Sequence, residues 1–79
     1  MIILKELVEL MIRGIIDFPD NMVINQIINE KTTIFEVKVD PADVGKVIGK
    51  QGKNIKAIRS IMNAAAQKEN KRVIIEIIK

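Results

Sequence analysis

The chain has 79 residues, enough for one domain with a modest core, and 48% of them are hydrophobic. It contains no Cys, His, Trp or Tyr and only one serine, Ser60, which excludes disulfides, thiolate or imidazole metal sites, an imidazole general base and a Ser–His–Asp arrangement. The formal net charge is +3, but between Val44 and Lys68 there are six basic residues and no acid, leaving seven basic and ten acidic residues elsewhere. A basic patch of this kind attracts a polyanion while the rest of the surface does not.

Residues 3–16 place Leu4, Leu7, Val8, Met11 and Ile15 at helical spacing and Lys5, Glu6, Glu9 and Arg13 elsewhere, which predicts an amphipathic helix. The same charges interrupt the apolar N-terminus before a signal-peptide or membrane-spanning length is reached, so no membrane is expected and the location expected is cytoplasmic. The DFPDN stretch at 17–21 ends the helix, because Pro19 cannot continue the hydrogen-bond ladder. Residues 22–29 are short and β-branched and read as a strand. After a turn at 29–31, residues 32–39 alternate, with Thr33, Phe35, Val37 and Val39 facing one way and Glu36 and Lys38 the other. The two segments predict a hairpin.

DPAD at 40–43 is a helix start. Asp40 suits the cap, Pro41 the first helical position, and Asp43 the first turn, where the helix dipole favours an anion. That helix is expected to reach about Ile48. A second runs from about Lys53 to Gln67, KEN at 68–70 is a polar loop, and 71–78 closes the chain as a strand with Val73, Ile75 and Ile77 on one face. A two-helix crossover between the last two strands favours parallel pairing. The expected fold class is α+β, in the order α-β-β-α-α-β, with a three-stranded mixed sheet and helices packed on one face.

Three of the four glycines, Gly45, Gly49 and Gly52, fall within eight residues, the last two inside the stretch VIGKQGKN at 47–54. A Walker A loop fails here, since Val47 stands at its first glycine position and Asn54 at its Ser/Thr position. A dinucleotide fingerprint fails on spacing and on the absence of a preceding strand. A plain helix–helix turn explains the glycines but not the lysines around them, Lys46, Lys50, Lys53 and Lys56. Two glycines let a sugar-phosphate backbone approach the main chain, and the following helix presents its first N–H groups beside them.

VIGKQGKNIKAIR at 47–59 resembles the core of the KH domain, whose G-x-x-G loop clamps single-stranded nucleic acid. The α-β-β-α-α-β order is similar to the type II KH arrangement, and the resemblance extends over nearly all of residues 1–79, toward small bacterial proteins consisting of a single KH domain. It implies an RNA-binding protein of RNA-chaperone type that associates with itself or with a second KH-containing protein. The implied loop is Gly49, Lys50, Gln51 and Gly52, with Val47, Ile48 and Ile55 as apolar flank. The expected RNA contacts are therefore Lys46, Val47, Ile48, Gly49, Lys50, Gln51, Gly52, Lys53, Ile55, Lys56 and Arg59. Ile48 and Ile55 fit the core as well as the groove, and Arg59 fits a solvated helix face as well as a phosphate contact. No cofactor, metal site or small-molecule substrate is expected. No cluster of carboxylates and lysines suggests an enzyme.

On the second helix, Ile55, Ile58, Met62, Ala65 and Ala66 form a stripe expected to face the sheet. Ala57, Ile61 and Ala64 form another beside it. Either the first helix covers that second stripe or another subunit does, and the rival to an RNA-binding role is a protein-interaction module with little RNA affinity.

Overall fold

The computed structural model describes residues 3–78; Met1, Ile2 and Lys79 of the expected 1–79 domain lie outside the described part. Helix α1 (Leu4–Arg13) leads into a 3-10 turn at Pro19–Asn21 and the hairpin of β1 (Val23–Ile28) and β2 (Thr32–Lys38). A 3-10 turn (Pro41–Asp43) precedes α2 (Val44–Ile48), a second (Lys50–Gly52) leads into α3 (Lys53–Ala66), and a third (Gln67–Glu69) precedes β3 (Arg72–Ile78). The element order is the one expected. The single helix expected over 40–48 is instead a 3-10 turn followed by five helical residues, and α1 stops at Gly14 rather than reaching 16.

The sheet has the order β1-β2-β3, antiparallel between β1 and β2 and parallel between β2 and β3. Parallel pairing follows from the crossover through α2 and α3, which returns the chain to the same end of the sheet. Alternation along β2 sends Thr33, Phe35 and Val37 to the helical side, and all three are buried. The α3 residues Ile55, Ile58, Met62 and Ala66 meet them, together with Val73 and Ile75 of β3, so the stripe expected to face the sheet does so. Each fully buried aliphatic side chain contributes about 1.5–3 kcal/mol by leaving water.

On α1 the buried residues are Leu4, Val8 and Ile12, continued by Ile16, while Leu7, Met11 and Ile15 are only partly buried. The helix is thus rotated from the expected stripe by part of a turn. Its apolar surface is broad enough for either rotation, and packing against α3 and β1 selects the Val8–Ile12 line.

Two polar side chains lock the helices onto this frame. Asp43 is fully buried and accepts hydrogen bonds from the N–H groups of Asp17 (3.0 Å) and Phe18 (2.9 Å). It therefore ties the loop after α1 to the start of α2, rather than serving only the helix dipole. Asp40 does cap, accepting from the Ala42 N–H at 2.9 Å. At the open edge of β3, Asn63 accepts from the Val73 N–H (2.9 Å) and donates to the Val73 carbonyl (3.2 Å). This bonds α3 to a strand edge that has no neighbouring strand.

Candidate nucleic-acid interface

Helix α2 ends because Gly49 takes φ 77° and ψ 170°, outside the range of side-chain-bearing residues. Its N–H still closes on the Gly45 carbonyl at 2.8 Å, and the chain then turns sharply. A Cβ at Gly49 would lie 2.7–2.9 Å from Cγ, N and Cβ of Asn54, so α3 packs directly on this glycine. Gly52 is left-handed, with φ 76° and ψ 15°, and would meet nothing closer than the Lys56 Cε at 3.9 Å. Between them Gln51 is also left-handed, at φ 58° and ψ 24°, an uncommon state for a residue with a side chain.

Asn54 staples the loop from the far side, donating from Nδ2 to the Lys46 carbonyl at 2.8 Å and so satisfying one of the orphan carbonyls at the end of α2. Sequence reasoning met Asn54 only as a failed Walker position. The available signal was a short amide side chain at the start of one helix, just after the glycine that ends another. Among the described residues no hydrogen bond ties the N–H of Lys50 or Gln51 to another element, which leaves these main-chain donors available.

The basic residues divide into two groups. Lys50, Lys53 and Lys56 are exposed, and none has a carboxylate partner among the described residues. Lys46 bonds to the Asp17 carboxylate and lies 3.8 Å from that of Asp43, so its charge is already balanced within the chain. Arg59 is exposed and reaches the open edge of β3, where it donates to the Ile75 carbonyl at 3.1 Å.

The apolar flank also divides. Val47 is fully buried and Ile55 is 6% exposed, both within the core cluster, so their side chains are turned away from the surface where bases were expected to meet them. Ile48 is partly exposed, and one turn earlier Val44 shares its side of α2 and is partly exposed too. Val44 borders an apolar hollow of about 300 Å³, lined also by Lys38, Val39, Pro41 and Ile78 at the ends of β2 and β3. The loop, Ile48, Val44 and this hollow follow one another along the same side of α2. Val44 and Ile78 are surface residues that sequence reasoning did not single out, because the ends of β2 and β3 meet α2 only in the folded chain.

Comparison with known proteins agrees with this architecture. Residues 5–77 match the family model described as KhpA/KhpB, KH domain. A protein of Clostridium perfringens named "RNA-binding protein KhpA" is 51% identical over 75 residues, covering 95% of this chain and all of that protein. Proteins of the same name from Caldanaerobacter subterraneus and Aquifex aeolicus are 51% identical over 73 residues and 45% identical over 75 residues. They cover 92% and 95% of this chain, and 97% and 95% of their own lengths.

Proposed function

The chain belongs to the KhpA/KhpB family of KH domains, and from that membership we propose that it binds single-stranded RNA, about four nucleotides at a time, along the GKQG loop and the exposed side of α2. The observation that supports this reading is the loop itself, with two main-chain N–H groups bonded to no other element beside three exposed lysines that have no acidic partner among the described residues. Phosphates take the backbone of Lys50 and Gln51 and the charges of Lys50, Lys53 and Lys56. Gly52, where a Cβ would stand in open space, keeps the approach free, while Gly49 lets α3 pack close beneath the loop. Bases lie over Ile48 and Val44 toward the hollow at Ile78. Of the chain's two phenylalanines Phe35 is fully buried and Phe18, 48% exposed, does not line this hollow, so the bases there rest on aliphatic side chains and one copy binds weakly. Weak, sequence-tolerant binding suits an RNA chaperone or post-transcriptional regulator, and pairing with a second KH chain through Ala57, Ile61 and Ala64 supplies the missing affinity.

The test replaces Lys50 and Gln51 together by Asp. Both side chains are exposed, so the fold should persist by circular dichroism while two carboxylates repel phosphate and RNA binding is lost. The parent should prefer single-stranded to duplex RNA. With two to four phosphates engaged, the slope of log affinity against log salt should be roughly −1.4 to −2.8. A folded double variant that binds like the parent overturns the site. A parent with no salt-dependent RNA binding favours the protein-interaction module instead.

A further inference from the structure

The sheet face turned away from the helices carries a pattern that RNA binding does not use. Pairing between the strands places Ile27, Ile34 and Ile74 side by side in one row across all three strands. Ile27 is 43% exposed and Ile74 37%, with Ile34 partly exposed between them. On one side of this row lies Asn25–Glu36–Glu76, and on the other Thr32–Arg72, with Asn29 opposite Thr32 where the hairpin closes. Arg72 and Glu76 therefore flank Ile74 at equal distance along β3 with opposite charges.

We propose that this face is a two-fold docking surface for a second copy of this chain, centred on the Ile27–Ile34–Ile74 row. A two-fold axis along that row returns each isoleucine onto its own counterpart and exchanges the two flanking rows. Arg72 of each copy then faces Glu76 of the other, and Glu36 faces the neutral Thr32. The parallel neighbours Glu36 and Glu76 lie side by side with like charge and no cationic partner within 4.0 Å among the described residues. Such a pair is unfavourable in the isolated sheet. Docking brings an arginine from the other copy to it. Sheets stacked face to face keep their strands within about 30°, so the match holds best near the axis, where these residues stand.

The area sets the strength. Three strands about 4.8 Å apart and about 23 Å long present a face of about 300 Å², and two such faces bury well under the ~1,200 Å² of a standard interface. The resulting contact falls in the class of weak, transient associations. Because the helices occupy the opposite side of the sheet, this contact is compatible with pairing through Ile61 and with RNA on the loop; Lys38 and Ile78, which border the hollow, stand on the docking face one row beyond Glu36 and Glu76, at its edge. Two separate two-fold contacts on one molecule let copies assemble beyond the dimer at high local concentration, as on one long RNA.

The experiment uses Ile61→Asp as background, to silence the helical face. Arg72→Glu and Glu76→Arg are added singly, and sedimentation is followed to about 1 mM. The background protein should self-associate weakly, each single addition should weaken that association about tenfold through two like-charge contacts, and an equimolar mixture of the two should restore it. A background that stays monomeric, or a mixture no more associated than its components, overturns the proposal. Should Ile61→Asp not fold, the same additions in the otherwise unchanged chain, read by concentration-dependent amide shifts at Ile27, Ile34 and Ile74, decide the question. RNA affinity for a four-nucleotide strand should be unchanged throughout. Loss of it with Arg72→Glu would show the face to be an RNA surface and overturn the proposal.

Discussion

At the level of single residues the loop depends on its glycines unequally. Gly49 combines a backbone state reserved for glycine with a missing Cβ that would strike the main chain of Asn54. Gly52 has a left-handed backbone but open space around it. Gly49→Ala should therefore destabilise the chain by about 2–3 kcal/mol, and Gly52→Ala by about 1 kcal/mol. Urea denaturation of the two variants checks this. Equal losses would mean that α3 does not rest on Gly49. Gln51 adds a third positive φ to the loop and is the one of the three that carries a side chain there.

At the level of elements, two aspartates close together in sequence do different work. Asp40 caps one exposed N–H at the start of the 3-10 turn, whereas the buried Asp43 holds two N–H groups from a loop more than twenty residues away in sequence. Asp40→Ala should cost about 1 kcal/mol. Asp43→Ala leaves both donors without an acceptor and should cost about 3 kcal/mol. Chemical denaturation separates the two, and similar losses would remove Asp43 from its anchoring role. The same comparison marks what the sequence could reveal. Strict alternation over 32–39 and the crossover between the last strands made the sheet legible, and the glycine–lysine cluster made the loop legible. The Lys46–Asp17 pair joins residues 29 apart, so no local pattern carries it. Val47 and Ile55 flank the loop in sequence, yet the junction of α2 and α3 turns both inward, a choice that periodicity over five helical residues cannot make. On α1 an apolar surface broader than one stripe leaves its rotation open until α3 and β1 are packed against it.

At the level of the whole molecule, α1 lies beside α3 without closing over it. Met11 and Ile15 share a hollow of about 210 Å³ with Ala57, Ile58 and Ile61, yet Ile61 remains 49% exposed and Leu10 71% exposed. Ala57 and Ala64 are exposed as well. The alternative in which α1 buries the second stripe of α3 is therefore not what the chain adopts, and an apolar strip is left on the helical side. Small alanines on either side of Ile61 allow a second helix to come close around one aliphatic anchor. Because Ile61 is half exposed, Ile61→Asp should leave stability within about 1 kcal/mol of the parent. At tens of micromolar the parent should be dimeric and the variant monomeric by light scattering. A four-nucleotide RNA should bind both alike, since the loop is untouched. A long RNA should bind the variant at least about tenfold more weakly, because a second groove on the same particle raises the effective concentration of binding sites. A parent that is monomeric under these conditions removes the homodimer and leaves pairing with a different KH chain. An Ile61→Asp protein that loses the short RNA as well would place this strip within the RNA surface rather than between subunits.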